Sequence, residues 1–109
     1  MKRGDIWSIS GAPGYGGKPR PAIIVQSDTL VGTQSVITCG LTSLVFENVP
    51  FRPLIEPSAS NGLRVPSAAM VEKLTAVPRS KLGHYLGELS DEDMARVEQT
   101  MLMVQGFAG

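Results

Sequence analysis

The chain of 109 residues has one cysteine, one histidine and one tryptophan, and its ten basic side chains balance ten acidic ones. A single thiol forms no internal disulfide and no thiolate metal cluster, which fits a reducing compartment. Zero net charge excludes the broad basic face of a protein that coats nucleic acid through many phosphate contacts. No apolar run approaches the roughly twenty residues of a membrane helix, and no signal-peptide stretch follows Met1-Lys2-Arg3, so we expect a cytoplasmic protein without a membrane partner. The length suits one domain spanning residues 1–109 with one core, burying roughly two thirds of the unfolded-chain surface.

The neutral sum hides a segregation. From Met1 to Arg20 the charges are Lys2, Arg3, Lys18 and Arg20 against Asp5. From Ser80 to Met101 they are Lys81 and Arg96 against Glu88, Asp91, Glu92, Asp93 and Glu98. This predicts one end that meets an anion and another that stays clear of it.

Within the basic end, Gly17-Lys18-Pro19-Arg20-Pro21 leads into Ala22-Ile23-Ile24-Val25-Gln26. A proline on each side leaves Arg20 little backbone freedom. The β-branched run behind it reads as a buried strand. A rigidly held guanidinium with two parallel donors and a permanent charge is suited to a phosphate or carboxylate. Gly11 to Lys18, with four glycines, Pro13 and Tyr15, reads as a loop.

Elsewhere, Asp5-Ile6-Trp7-Ser8-Ile9 alternates as a half-buried strand, with Trp7 assigned to the core. Ser35 to Cys39 reads as a central strand that delivers Gly40-Leu41-Thr42-Ser43 at its end, with Cys39 a buried thiol. Pro50, Pro53 and Pro57 restrict residues 51–55 to short edge pairing, and Ser58 to Gly62 is a turn. Ala68 to Val77 is predicted as one long strand, followed by a short helical turn near Arg79 to Leu82. Ser90-Asp91-Glu92-Asp93 starts a helix with Ser90 as its N-cap; Met94, Val97, Met101 and Val104 form its apolar stripe and Gly106 ends it. The expected fold is mainly β with a C-terminal α-helix, a sheet or partly open barrel closed by that one helix.

In that order and spacing, Lys2-Arg3-Gly4-Asp5-Ile6-Trp7, Gly17 to Val25, Gly40-Leu41-Thr42-Ser43 and Met70 to Val77 together resemble the MazF/PemK-type toxins over nearly the whole chain. The resemblance implies a homodimer of SH3-like, partly open barrels that cleaves single-stranded RNA without metal or cofactor and is blocked by a cognate antitoxin. It maps Arg20 and Thr42 onto the family's catalytic arginine and threonine, with the 2′-hydroxyl beside the cut attacking phosphorus. Where members often carry an acid or histidine in the first loop, this chain has Gly14-Tyr15-Gly16.

From the residues themselves, Arg20 suits a phosphate whose charge grows during reaction. Thr42 and Ser43 offer hydroxyls too weakly acidic to titrate near neutrality. Lys18 and Tyr15 join the RNA-binding set, as a phosphate contact and a stacking ring. Glu72 completes it: buried near Arg20 it is a base or an anchor, and facing outward beside Lys73 it is inert. His84 has no acid or base partner in the sequence. Two other readings keep the fold: a gyrase-binding toxin, whose tryptophan-bearing tip residues 106–109 lack, and a non-catalytic dimeric binding module.

Overall fold

The computed structural model describes residues 1–10 and 18–108. Strands β1 (Asp5–Ile9), β2 (Arg20–Ile24), β3 (Ser35–Thr42), β4 (Leu54–Ile55), β5 (Ser67–Ala69), β6 (Thr75–Pro78) and β7 (Leu82–Glu88) precede one helix, α1 (Asp91–Val104). Every described pairing is antiparallel. β3 is central, as its apolar run predicts: β2 lies along one edge, and its other edge pairs β6 over Ser35–Thr38 and then β5 over Leu41–Thr42. The sheet therefore curls into a half-barrel, β4-β5 on one limb and β1-β7 on the other.

Register sorts the side chains. Ile6, Ile23 and Cys39 are mutually opposed across β1, β2 and β3 and, with Leu41, Ile55, Val71 and Leu89, form the core. α1 seals that core through the fully buried Val97, with Met94 and Met101 packed beside it. Val104, the last member of the stripe, is exposed. Ser90 Oγ accepts the Asp93 N–H at 3.1 Å as the N-cap. At the other end Gly106, at φ +82°, lets Phe107 N–H reach the Leu102 carbonyl at 2.8 Å.

Three expectations are corrected. The strand predicted over residues 68–77 is two strands separated by a turn of 3₁₀ helix at Val71–Lys73. Leu41 pairs Ala69 and Thr38 pairs Thr75, so three residue steps on β3 face six on the opposing chain. The turn takes up that difference, and Lys73 N–H closes it on the Met70 carbonyl at 3.0 Å. Within β7, Gly83 and Gly87 mark close backbone approaches: added Cβ atoms would meet Ser8 Oγ at 2.5 Å and the Ser60 carbonyl oxygen. The turn of 3₁₀ helix expected near residue 79 does form, at Arg79–Lys81. Trp7 is only half-buried, on the face away from the core, edge-on to Tyr85 at 6.0 Å. Finally, the basic and acidic ends meet: Lys2 pairs with Glu88 at 3.2 Å and Arg3 with Glu98 at 2.9 Å. Folding thus pairs Lys2 and Arg3 of the basic cluster with acids of the C-terminal end.

Candidate active site

The sheet face opposite the core carries the alternate set of residues, with Ile9 opposed to Arg20, Ala22 to Gly40 and Thr38 to Thr75. A cleft of about 560 Å³ lies on it, walled by Ile9 and Ser10, by Arg20 to Ala22, and by Met70, Lys73, Thr75 and Val77, with Lys81 at one corner. Gly40 gives the cleft its depth, since a Cβ there would come within 2.9 Å of Met70 Cε.

Arg20 opens β2 and is half-buried, not waving in solvent. Its neighbours in the cleft wall are cations and hydroxyls: Lys73 and Lys81, Ser10, Thr38 and Thr75. Among the described residues no aspartate or glutamate lines this cleft. A phosphate placed there meets positive potential from three sides, with apolar walls of Ile9, Ala22 and Val77 that strengthen each interaction by excluding water.

Thr42 ends β3 and pairs with Ala68. It lies two residues past Gly40 on the same side of the strand, so extending the Ala22–Gly40 register by two residues brings Arg20 and Thr42 opposite each other. Its Oγ1 accepts the Leu44 N–H at 3.1 Å, which leaves the hydroxyl proton to donate. Thr42 and the exposed Ser43 stand just outside the cleft lining, at the mouth of the barrel. Lys18 is exposed two residues before Arg20. Tyr15 lies outside the described residues.

Glu72 sits on the 3₁₀ turn, not in a strand. Its oxygens accept from Arg52 Nε at 2.8 and 3.1 Å and from Arg52 Nη2 at 2.6 Å. This hydrogen-bonded partner holds its carboxyl below the usual range, and Glu72 does not line the cleft. His84 is exposed on β7, with its backbone N–H on Ser8 Oγ. Burial pushes the Cys39 thiol up to about 12, so it stays protonated. Lys73 and Lys81 are the cleft residues that sequence reading missed. Only a break in the late strand sets Lys73 beside Thr75 and Val77, and Lys81 had been counted with the acidic end.

Among the described residues no helix is long and apolar enough to cross a membrane, and no group of three or more His, Cys, Asp or Glu side chains is arranged to hold a metal ion.

The architecture is thus a curled β half-barrel capped by one helix, with a cationic cleft on the face away from its core. Residues 2–104 match the family described as PemK-like, MazF-like toxin of type II toxin-antitoxin system. A probable endoribonuclease MazF of Mycolicibacterium smegmatis is 39% identical over the full length of both chains. Endoribonuclease MazF9 of Mycobacterium tuberculosis is 26% identical over 93% of this chain and 92% of its own. Among solved structures, an endoribonuclease in complex with its cognate antitoxin from a mycobacterial species superposes with a TM-score of 0.81 at 21% identity, covering 100% of this chain and 98% of that one. A MazE–MazF complex from Deinococcus radiodurans gives 0.79 at 22% identity, covering 99% and 98%. The chain belongs to the PemK-like, MazF-like toxins.

Proposed function

We propose that this chain is a sequence-specific, metal-independent endoribonuclease that cuts single-stranded RNA, acts as a homodimer and is silenced by a cognate antitoxin. The observation that carries the reading is Arg20, half-buried in a cleft whose described lining includes two further cations and no acid. In this reading the 2′-hydroxyl preceding the scissile phosphate attacks phosphorus. The O2′–P bond forms, the P–O5′ bond breaks, and the products carry a 2′,3′-cyclic phosphate and a 5′-hydroxyl. Arg20 holds the two non-bridging oxygens as their charge grows, and Thr42 donates its hydroxyl proton to one of them. Charge neutralisation comes from side chains, which is what supports independence from metal. Lys18, Ser43 and Tyr15 flank this centre along the chain and are assigned to RNA contacts outside it. Unpaired bases are read by stacking and by their edges, which is the basis for a sequence-specific cut.

The test is incubation with a long single-stranded RNA in EDTA, followed by mapping of the cut ends. We expect cleavage at one recurrent short sequence with cyclic-phosphate ends. Arg20→Ala should lower the rate by about 10²- to 10³-fold, the cost of one lost oxyanion donor, with thermal melting unchanged. Intact RNA together with tight binding of an acidic disordered peptide would assign the chain to the binding modules instead, and stalled gyrase to the gyrase poisons.

A further inference from the structure

The cleft is rich in charge and poor in groups that titrate near neutrality. Its ionisable lining is Arg20, Lys73 and Lys81, one guanidinium and two amines, with no carboxylate or imidazole among the described lining residues. Each carboxylate or imidazole on the elements around it is either engaged elsewhere or set apart. On β1, Asp5 lies two alternations from Ile9, buried, with Oδ2 accepting the Lys2 N–H at 2.8 Å. On the 3₁₀ turn, Glu72 is held by Arg52, and on β7 Glu88 is paired with Lys2 while His84 is exposed and not among the lining residues. The acids of α1 belong to the helix that packs on the opposite, core side of the sheet. Residues 11–17 read Gly-Ala-Pro-Gly-Tyr-Gly-Gly and add a single phenol, with no carboxylate or imidazole.

The two lysines are placed from opposite sides of Arg20. Ser10 N–H and Oγ both donate to the Lys81 carbonyl, at 3.0 and 3.3 Å, which ties Lys81 to the residue after Arg20's partner Ile9. Lys73 is fixed by the 3₁₀ turn. Elsewhere Lys2, Arg3, Arg52 and Arg96 each form a salt bridge; among the described residues Lys73 and Lys81 form none, and Glu72, whose carboxylate Lys73 neighbours, is bonded to Arg52.

Building on the ribonuclease reading above, we infer that Lys73 and Lys81 share with Arg20 the neutralisation of the phosphate, and that solvent hydroxide removes the 2′-hydroxyl proton with no side-chain base. The attacking 2′-oxygen gives its proton to hydroxide, forming water. The departing 5′-oxygen takes a proton from water and regenerates the hydroxide, so the step balances without a titrating residue.

The experiment is single-turnover cleavage of one RNA, enzyme in excess, from pH 5 to pH 9. The wild type should accelerate about tenfold per pH unit with no plateau, because hydroxide rises tenfold per unit and no carboxylate or imidazole lines the described cleft. The Lys73→Gln/Lys81→Gln double variant should cut at least 10-fold more slowly and bind uncleavable 2′-deoxy-substituted RNA with a log K against log salt slope shallower by about 1.4, or 0.7 per lost phosphate contact. Lysine-to-arginine replacements should restore both, and Arg64→Gln, the loss of one positive charge outside the cleft, should change neither. A plateau or bell with an apparent pKa between 5 and 8, or a double variant indistinguishable from Arg64→Gln, overturns the inference while the nuclease reading stands. Absence of cleavage by the wild type overturns the nuclease reading itself.

Discussion

Arg52 and Glu72 meet through three contacts of 2.6 to 3.1 Å, with side chains only 18% and 28% exposed. Their bond fastens the turn that separates β5 from β6, and so indirectly places Lys73. Because Glu72's carboxyl is held below its ordinary value by the Arg52 hydrogen bond, the pair stabilises the folded state above the unfolded carboxyl's pKa and loses that effect as pH falls through the folded one. Arg52→Ala should therefore lower stability by about 1 kcal/mol at pH 7, in the range for a well-formed, partly shielded pair. The gap from wild type should close below about pH 4, a comparison urea melts at pH 7 and pH 3 make directly. Legibility differed sharply among residues. Arg20 was readable because its two flanking prolines act through local sterics. Glu72 was not, because whether it faces Arg20 or Arg52 depends on a turn with no local signature.

At the scale of elements, α1 was the most legible piece: Ser90, Asp93, Val97 and Gly106 perform their cap, core and terminator roles as the 3.6-residue period requires. β7 was the least. Nothing in the run from Leu82 to Glu88 marks it as a strand by local pattern, and Gly87 lies inside it, where hydrogen bonds to neighbouring elements leave no space for a side chain. Glu88 N–H reaches the Ser60 carbonyl at 2.9 Å, and a Cβ on Gly87 would sit 2.5 Å from the Asn61 carbonyl carbon. Gly87→Ala should thus push residues 58–62 off the edge of β7 and cost about 2 kcal/mol or more, as overpacking does. Amide exchange should quicken at Glu88 and Asn61 ahead of the core strands. Equal exchange in variant and wild type would show that the strand edge yields freely.

For the whole molecule, exposed apolar side chains cluster after β2 (Leu30 and Val31), after β3 (Leu44, Val45 and Phe46, the last 61% exposed) and at the end of α1 (Leu102, Met103, Val104 and Phe107). Such apolar surface accords with the proposed dimer. Sedimentation should give twice the chain's 11.6 kDa, with a buried surface near the standard size of about 800 Å² per partner. A monomer at micromolar concentration would remove the dimer from the proposal.

By itself the sequence determined what local sterics and periodicity control: the first three strands, the capped helix, the rigid setting of Arg20 and the order of motifs that marks the family. Tertiary structure decided which charges stay outward. Pairing β6 and β5 to one edge of β3 forces a three-residue excess into a turn, which sends Glu72 to Arg52 and sets Lys73 at the cleft. Closing β7 onto β1 joins the two charged ends and brings Lys81 beside Ser10. Those outcomes depend on register between distant strands, and register is settled by which faces can be buried together.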